Sequence, residues 1–325
     1  MAFCCYAYII LGAAQITSKS KLASQFSTLM NPPQVLLGAI EAGGTKFVCA
    51  VGSGPDDIRA QERFDTTLPA ETIGRCLAFL QRFDGLAAVG IAAFGPLDLQ
   101  AASSTYGFIT STPKAGWRNT NLAGTISRSL GLPVGIDTDV NGAALGEWRW
   151  GAARDLDNFL YLTVGTGIGG GAFVNGRVVH GLLHPEMGHI RVPHDLAADP
   201  FAGTCPFHGD CLEGLATGGA MEKRWGQKAE TLPAGHPAWE LEAHYLALAL
   251  ANYVCVLSPQ RIIMGGGVMS QPQLLPLVRR KLVSLLGGYV QAAEILEHTD
   301  RYVVAPALGS RAGVLGALAL AQAVL

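Results

Sequence analysis

Apolar positions along the chain follow two rhythms. The run VLLGAI at 35–40 is continuously apolar, as in a strand buried on both faces. After Gly43 and Gly44, KFVCAVG at 46–52 predicts a second strand, so the two read as a hairpin. Residues 71–83 carry apolar side chains at helical spacing, 86–95 form another buried strand ending at Gly95 and Pro96, and 122–131 form a helix stopped by Gly131. A strand at 133–137 and a helix at 140–151 follow. The pattern then begins again. A strand at 159–165, a glycine-rich stretch to Gly171, and strands at 171–174 and 177–179 around Asn175 and Gly176 predict a second hairpin. Helices are predicted at 217–227, 237–257, 271–287 and 309–324, with strands at 261–267 and 301–304. Two halves that each open with a hairpin and continue in alternating helices and strands predict a duplicated α/β plan, two lobes around a central cleft.

The first 34 residues break this rhythm. Their apolar start, MAFCCYAYIILGAA, is only 14 residues long, too short to span a bilayer, and lacks the basic region of a signal peptide. Residues 1–34 are expected to be a poorly ordered extension, with Met30 an alternative start. The expected lobes are 35–138, with the C-terminal helix 309–325 packing back on it, and 139–308.

Composition narrows the function. Hydrophobic residues make up 49% of the 325 and charged residues 15%, as in a well-packed globular protein, and the net charge of −2 offers no electrostatic footprint for nucleic acid. Seven scattered cysteines are no disulfide framework and fit a reducing, cytoplasmic setting.

Glycine clusters at 43–44, 165–171 and 265–267 are positions where backbone N–H groups can approach a phosphate closely. Gly165, Gly167 and Gly170 match a dinucleotide-binding fingerprint by letter, but a strand rather than a helix is predicted to follow. Asp139 stands between a strand and a helix, where Asp is a favoured N-cap. CPFHGDC at 205–211 places Cys205, His208 and Cys211 at spacings that suit Zn²⁺, with His184, His189 and His194 as candidates for a fourth ligand.

Together EAGGTKFVCAVG (41–52), TDVNGAALGEW (138–148), TVGTGIGGG (163–171), HPEMGH (184–189) and CPFHGDCLEG (205–214) resemble the ROK family of sugar kinases, and its bacterial fructokinase branch in particular. The resemblance runs from about residue 35 to the C-terminus. It implies the actin/hexokinase-like ATPase fold and phosphorylation of fructose to fructose 6-phosphate by ATP with Mg²⁺. Glucose or mannose as substrate, or a sugar-responsive regulator without catalysis, are the alternatives. The resemblance further implies ATP-phosphate contacts from Gly43, Gly44, Thr45, Lys46, Gly165, Thr166 and Gly167, and adenosine contacts from Gly265, Gly266 and Gly267. It makes Asp139 the catalytic base and assigns the sugar to Gly95, Pro96, Asp139, Glu186, His189 and Glu213. Glu41 stands where many relatives have Asp, beside the expected Mg²⁺. Thr138 replaces the Asn found before the base in many family glucokinases, which leans away from glucose. The family pattern selects His189 as the fourth ligand of a structural zinc in a loop at 184–214, and it implies a homodimer. No nucleic-acid or membrane partner is expected.

Overall fold

The computed structural model describes residues 35–325; the predicted N-terminal extension lies outside the described residues. Among the described residues twelve strands form three sheets. They are β1 (Leu37–Ala42), β2 (Lys46–Gly54), β3 (Asp57–Asp65), β4 (Ala88–Ala93), β5 (Phe108–Ile109), β6 (Thr120–Asn121), β7 (Val134–Thr138), β8 (Phe159–Val164), β9 (Ile168–Val174), β10 (Arg177–Val178), β11 (Arg261–Gly265) and β12 (Val303–Val304). The first large sheet runs β3-β2-β1-β4-β7 and the second β10-β9-β8-β11-β12. In both, three antiparallel strands lead into two parallel ones, so the second sheet repeats the first strand for strand. The remaining pair, β5 and β6, is a small antiparallel ribbon.

The apolar runs form the middles of these sheets. Every residue of β4 is buried, as a strand covered on both faces requires. β3 was not predicted, and its sequence DIRAQERFD explains why: only Phe64 is fully buried, so the strand is an edge whose polar side chains face water. β9 begins at Ile168, so Gly169, Gly170 and Gly171 lie in a strand and the turn before it is shorter than the glycine run suggests.

The main helices are α1 (Pro69–Leu80), α2 (Leu122–Leu130), α3 (Asp139–Trp150), α4 (Leu212–Ala216), α5 (Gly218–Trp225), α6 (Ala238–Leu257), α7 (Leu274–Leu286), α8 (Ala293–Leu296), α9 (Thr299–Tyr302) and α10 (Ala312–Gln322). The helix predicted at 217–227 is α5 alone. Thr217 is extended (φ −83°, ψ 160°) and separates it from the short α4. Most of α10 is buried whichever way its side chains face, as its unbroken apolar sequence demands. It packs backbone to backbone on α3: a Cβ on Gly316 would stand 2.0 Å from the Gly142 carbonyl oxygen, so the crossing requires glycine. That contact carries the last helix onto the element that begins with Asp139.

Candidate active site and metal centre

The end of β7 and the start of α3 place the carboxylate predicted to act as base. Thr138 is the N-cap: its hydroxyl accepts from Asn141 N at 3.2 Å. Asp139 is therefore the first helical residue rather than the cap, and its carboxylate is not consumed by the usual capping bond. Its Oδ1 accepts from Val140 N at 2.9 Å. Burial pushes the Asp139 carboxyl up to about 6; the negative charges of Glu41 and Glu186 add to the shift, and the backbone N–H groups oppose it. Three carboxylates from three segments thus converge. Glu41 comes from β1, Asp139 from α3, and Glu186 from the segment after β10. Burial also raises Glu41, moderated by Lys46 and Arg63. A Cβ on Gly313 would meet the Glu41 carboxyl carbon at 2.6 Å, so this carboxylate lies against the first turn of α10.

The glycine turns flank this group. At 43–46 the chain reverses with Gly43 N donating to the Lys46 carbonyl at 3.0 Å, while the Thr66 hydroxyl donates to the Gly43 carbonyl at 2.7 Å. Gly44 and Thr45 form the tip, and Lys46 opens β2. At 165–167 Gly165 N donates to the Gly167 carbonyl at 2.9 Å, with the exposed Thr166 between them. A Cβ on Gly165 would stand 3.9 Å from Gly267 N, so the turn at 265–267 lies beside it. Gly218 N, at the start of α5, donates to the Gly165 carbonyl at 2.9 Å.

The metal cluster is built by chain segments with little regular structure. A 3₁₀ turn, Met187–His189, packs on β9: a Cβ on Gly188 would stand 1.9 Å from the Ile168 carbonyl oxygen, and Tyr253 Oη donates to the Met187 carbonyl at 2.6 Å. This aims His189 at the CPFHGDC loop. One ligand atom from each of His189, Cys205, His208 and Cys211 lies within 4.8 Å of the other three. His189 Nδ1 is 3.8 Å from Cys205 Sγ and 3.6 Å from Cys211 Sγ, and His208 Nδ1 is 3.6 Å from Cys205 Sγ. A tetrahedral ion with bonds of about 2.3 Å to sulfur and 2.0–2.1 Å to nitrogen spaces its ligands about 3.5 Å apart, so the four side chains fit such an ion. The other two candidate histidines are engaged elsewhere. His194 lies 3.2 Å from Asp210 Oδ2 and 3.0 Å from the Asp199 carbonyl, while His184 Nε2 accepts from Leu97 N at 3.1 Å.

Glu213, in the first turn of α4, joins two of these regions. Its Oε2 accepts from Ile168 N at 3.0 Å, directly after the 165–167 turn, and its Oε1 lies 3.8 Å from His189 Nε2. His189 thus turns one ring nitrogen to the cluster and the other towards a carboxylate, an arrangement that fixes a metal-ligating imidazole. Gly95 and Pro96 follow β4, and the Pro96 carbonyl accepts from Thr110 N at 2.8 Å.

The ROK family profile matches residues 37–324. The chain belongs to the ROK family. Among its relatives is a fructokinase of Zymomonas mobilis, 43% identical over 90% of this chain and 99% of that protein. A fructokinase of Streptococcus mutans is 43% identical over 88% of this chain and 97% of its own. A ROK family glucokinase from Streptomyces griseus, solved in complex with glucose and AMPPNP, superposes with a TM-score of 0.70 at 26% identity, covering 89% of this chain and 99% of that one. The actin-like ATPase fold of ROK proteins agrees with the two matching sheets.

For this ROK chain the residues that sequence reading passed over are Asp137, Asn141, His180 and, as anything but a ligand candidate, His184. Asp137 is buried, accepts from Thr138 N and Asn141 Nδ2 at 2.7 Å each, and pairs with His180 Nε2 at 2.9 Å. Asp137, Asn141, His180 and His184 stand beside or within the family motifs, but the contacts of Asp137 and Asn141 with His180 and of His184 with Leu97 join segments distant in the chain, out of reach of spacing arguments. Among the described residues no helix is long and apolar enough to cross a membrane.

Proposed function

We propose that this protein is an ATP-dependent fructokinase that converts fructose to fructose 6-phosphate, with a structural zinc in its sugar-binding half. The observation that carries the reading is the Asp139 carboxylate at the junction of β7 and α3, left free by the Thr138 cap and raised to about 6 by burial, with the charges of Glu41 and Glu186 reaching it. A carboxylate titrating there is ionised at neutral pH yet basic enough to take a hydroxyl proton. Kinship supports fructose over glucose: the fructokinase relatives are 43% identical and the glucokinase 26%. Thr138 supports the same choice, because it is 5% exposed and its hydroxyl is occupied in capping α3.

In this reading the terminal hydroxyl of the sugar lies at Asp139. As that oxygen bonds to the γ-phosphorus and the bond to ADP breaks, the hydroxyl proton passes to Asp139 Oδ. Positioning and charge stabilisation carry the rest. The turns at 43–46 and 165–167 hold the phosphates, through the backbone N–H groups of Gly44, Thr45 and Gly167 with Thr166 and Lys46, while Gly43 N–H closes its own turn on the Lys46 carbonyl; the 265–267 turn lies against the adenosine. Mg²⁺ bound with ATP would supply charge neutralisation at the phosphates, and Glu41 is the carboxylate that would hold it. Glu186, Glu213 and the Gly95-Pro96 turn bind sugar hydroxyls. His189, Cys205, His208 and Cys211 would hold zinc with four protein ligands, the closed arrangement of a structural site, which would leave no position for substrate. With the lobes divided after residue 138, as the sequence suggests, the proposed cleft opens at Asp139. A cytoplasmic homodimer fits this reading. A coupled assay across fructose, glucose and mannose tests it: turnover highest on fructose is expected, and no turnover on any hexose would overturn it.

A further inference from the structure

Segment 180–186 leaves the second sheet after β10 and reaches the segment that follows β4 in the first. Three side chains hold it there. His180 pairs with the buried Asp137, and Gln100 Nε2 donates to the carbonyls of Gly181 at 2.8 Å and Leu182 at 3.0 Å. The third contact differs in kind, because it is buried and it fixes a proton. The His184 side chain is 5% exposed. Its ring packs against Gly95, where a Cβ would stand 3.4 Å from both Cε1 and Nε2. Leu97 N–H donates to His184 Nε2 at 3.1 Å. A backbone N–H can only donate, so Nε2 keeps its lone pair and the ring proton sits on Nδ1. Nδ1 faces Glu186 Oε1 at 3.4 Å. Glu186 is half exposed, and among the described residues His184 is the one side chain paired with it.

We infer that His184 is a positioning residue for sugar binding: it receives Leu97 N–H, presents Nδ1–H to Glu186, and so registers the Glu186 carboxylate against the Gly95-Pro96 turn on the opposite side of the sugar. The inference deepens the proposed function and rests on Glu186 binding the sugar there. His184 is too buried to meet the sugar itself. It acts by holding one carboxylate in the single orientation that its tautomer permits. Losing a hydrogen bond to a charged group while leaving a backbone N–H unpaired predicts a loss of roughly ten- to a hundred-fold in sugar affinity. The effect is on binding and not on the transfer step, since among the described residues the ring's hydrogen-bond and ion-pair partners are Leu97 and Glu186, not Asp139 or the turns at 43–46, 165–167 and 265–267.

The experiment compares wild type with His184→Phe, which keeps the ring's bulk and removes both nitrogens, and His184→Gln, whose amide can both accept and donate. Fructose and AMPPNP are titrated separately by calorimetry, and kcat and KM are measured for each substrate. The expected result for His184→Phe is a fructose Kd and KM raised roughly ten- to a hundred-fold. Its AMPPNP affinity should stay unchanged and its kcat at saturating fructose near that of wild type. His184→Gln should recover most of the loss. In a Glu186→Ala background His184→Phe should cost nothing further. A folded His184→Phe with wild-type fructose KM, or losses from the two substitutions that add in the double variant, would overturn the inference. Should the phenylalanine chain not fold, His184→Asn makes the same test: it is too short to meet Leu97 N–H and Glu186 together, and unchanged fructose affinity there is equally fatal. A wild-type protein that neither binds nor phosphorylates any hexose sinks the proposed function, and the inference falls with it. A wild-type protein active on fructose whose affinity ignores His184 sinks the inference alone.

Discussion

Replacing Asp139 by Asn should make the protein more stable and almost inactive. Burial raises the Asp139 carboxyl from 3.8 to about 6, so keeping it ionised at pH 7 or above costs about 3 kcal/mol, at 1.36 kcal/mol per unit. The sign follows from proton counting. Between pH 4 and pH 6 the folded state holds a proton that the unfolded state has released, so this group's contribution falls as pH rises and the full penalty is present above pH 6. Asn has the same shape and no charge, and removes that penalty. It also forfeits the attraction between a carboxylate and the first turn of α3, worth about 0.3–1 kcal/mol. The net gain of about 2 kcal/mol corresponds to a Tm increase of about 3 °C at pH 7.5 for a chain of this length, shrinking to nothing near pH 4. Turnover should fall ~10²–10⁴-fold, the usual worth of a general base. In wild type, kcat/KM for fructose should rise with pH up to about 6 and then level. Differential scanning calorimetry and a coupled ADP assay at matched pH values read both effects. A variant with near-wild-type turnover, or a wild-type kcat/KM flat between pH 5 and pH 7, would refute the reasoning.

Three further outcomes are expected. Metal analysis of the purified protein should find one Zn²⁺ per chain, and Cys205→Ser should lower both zinc content and Tm; a wild-type chain purified without metal would contradict the cluster's assignment. Glu242 is 1% exposed, both its carboxylate oxygens lack hydrogen-bond partners, and burial holds its carboxyl well above 4.5, so it favours the fold at low pH and opposes it as pH rises. Glu242→Gln should therefore flatten the decline of Tm between pH 5 and pH 8, and an unaltered slope would argue against this account. Gly316→Val should drive α10 off α3 and lower stability by several kcal/mol, because its Cβ alone would stand 2.0 Å from the Gly142 carbonyl; soluble protein with wild-type Tm would show that the helices can part at little cost.

Sequence and structure agree most closely where a local rule decides. The apolar runs gave β1, β4 and β8 to within two residues at each end, since a strand covered on both faces has no room for polar side chains. The paired glycines marked the turns, and Cys205, His208 and Cys211 marked the metal loop. What stayed hidden depends on partners distant in the chain. Nothing in DIRAQERFD says that it will pair with β2, because an edge strand facing water reads like a loop. Choosing among His184, His189 and His194 by ligand chemistry alone was impossible, since each is a histidine near the same loop; Leu97 and Asp210 decide it by occupying the other two. Even the role of Asp139 shifted by one position. The letters TDVN allow either Thr138 or Asp139 to cap α3, and the hydroxyl of Thr138 takes the cap, which leaves the carboxylate available for chemistry.

A metal ion at the His189, Cys205, His208 and Cys211 cluster would serve a loop that has little regular structure of its own. Residues 190–211 contain neither helix nor strand, only the isolated bridges Arg191 to Cys211 and Cys205 to Gly209. Such a segment lacks the repeating backbone hydrogen bonds that hold a helix or a strand. A cross-link between positions 189 and 211 removes about 3 kcal/mol of chain entropy from the unfolded state, by the loop-closure estimate used for disulfides. The order gained there passes outward through Glu213, which meets His189 with one oxygen and Ile168 N–H with the other. Ile168 follows the 165–167 turn without a break, so the carboxylate that faces the metal ligand also anchors the turn expected to hold phosphate. Chelation should therefore raise the KM for fructose most, through Glu186, His189 and Glu213, and the KM for ATP by a smaller factor, through Ile168. A chelated protein whose ATP affinity falls as far as its fructose affinity would place the metal's influence in the fold as a whole rather than in this chain of contacts.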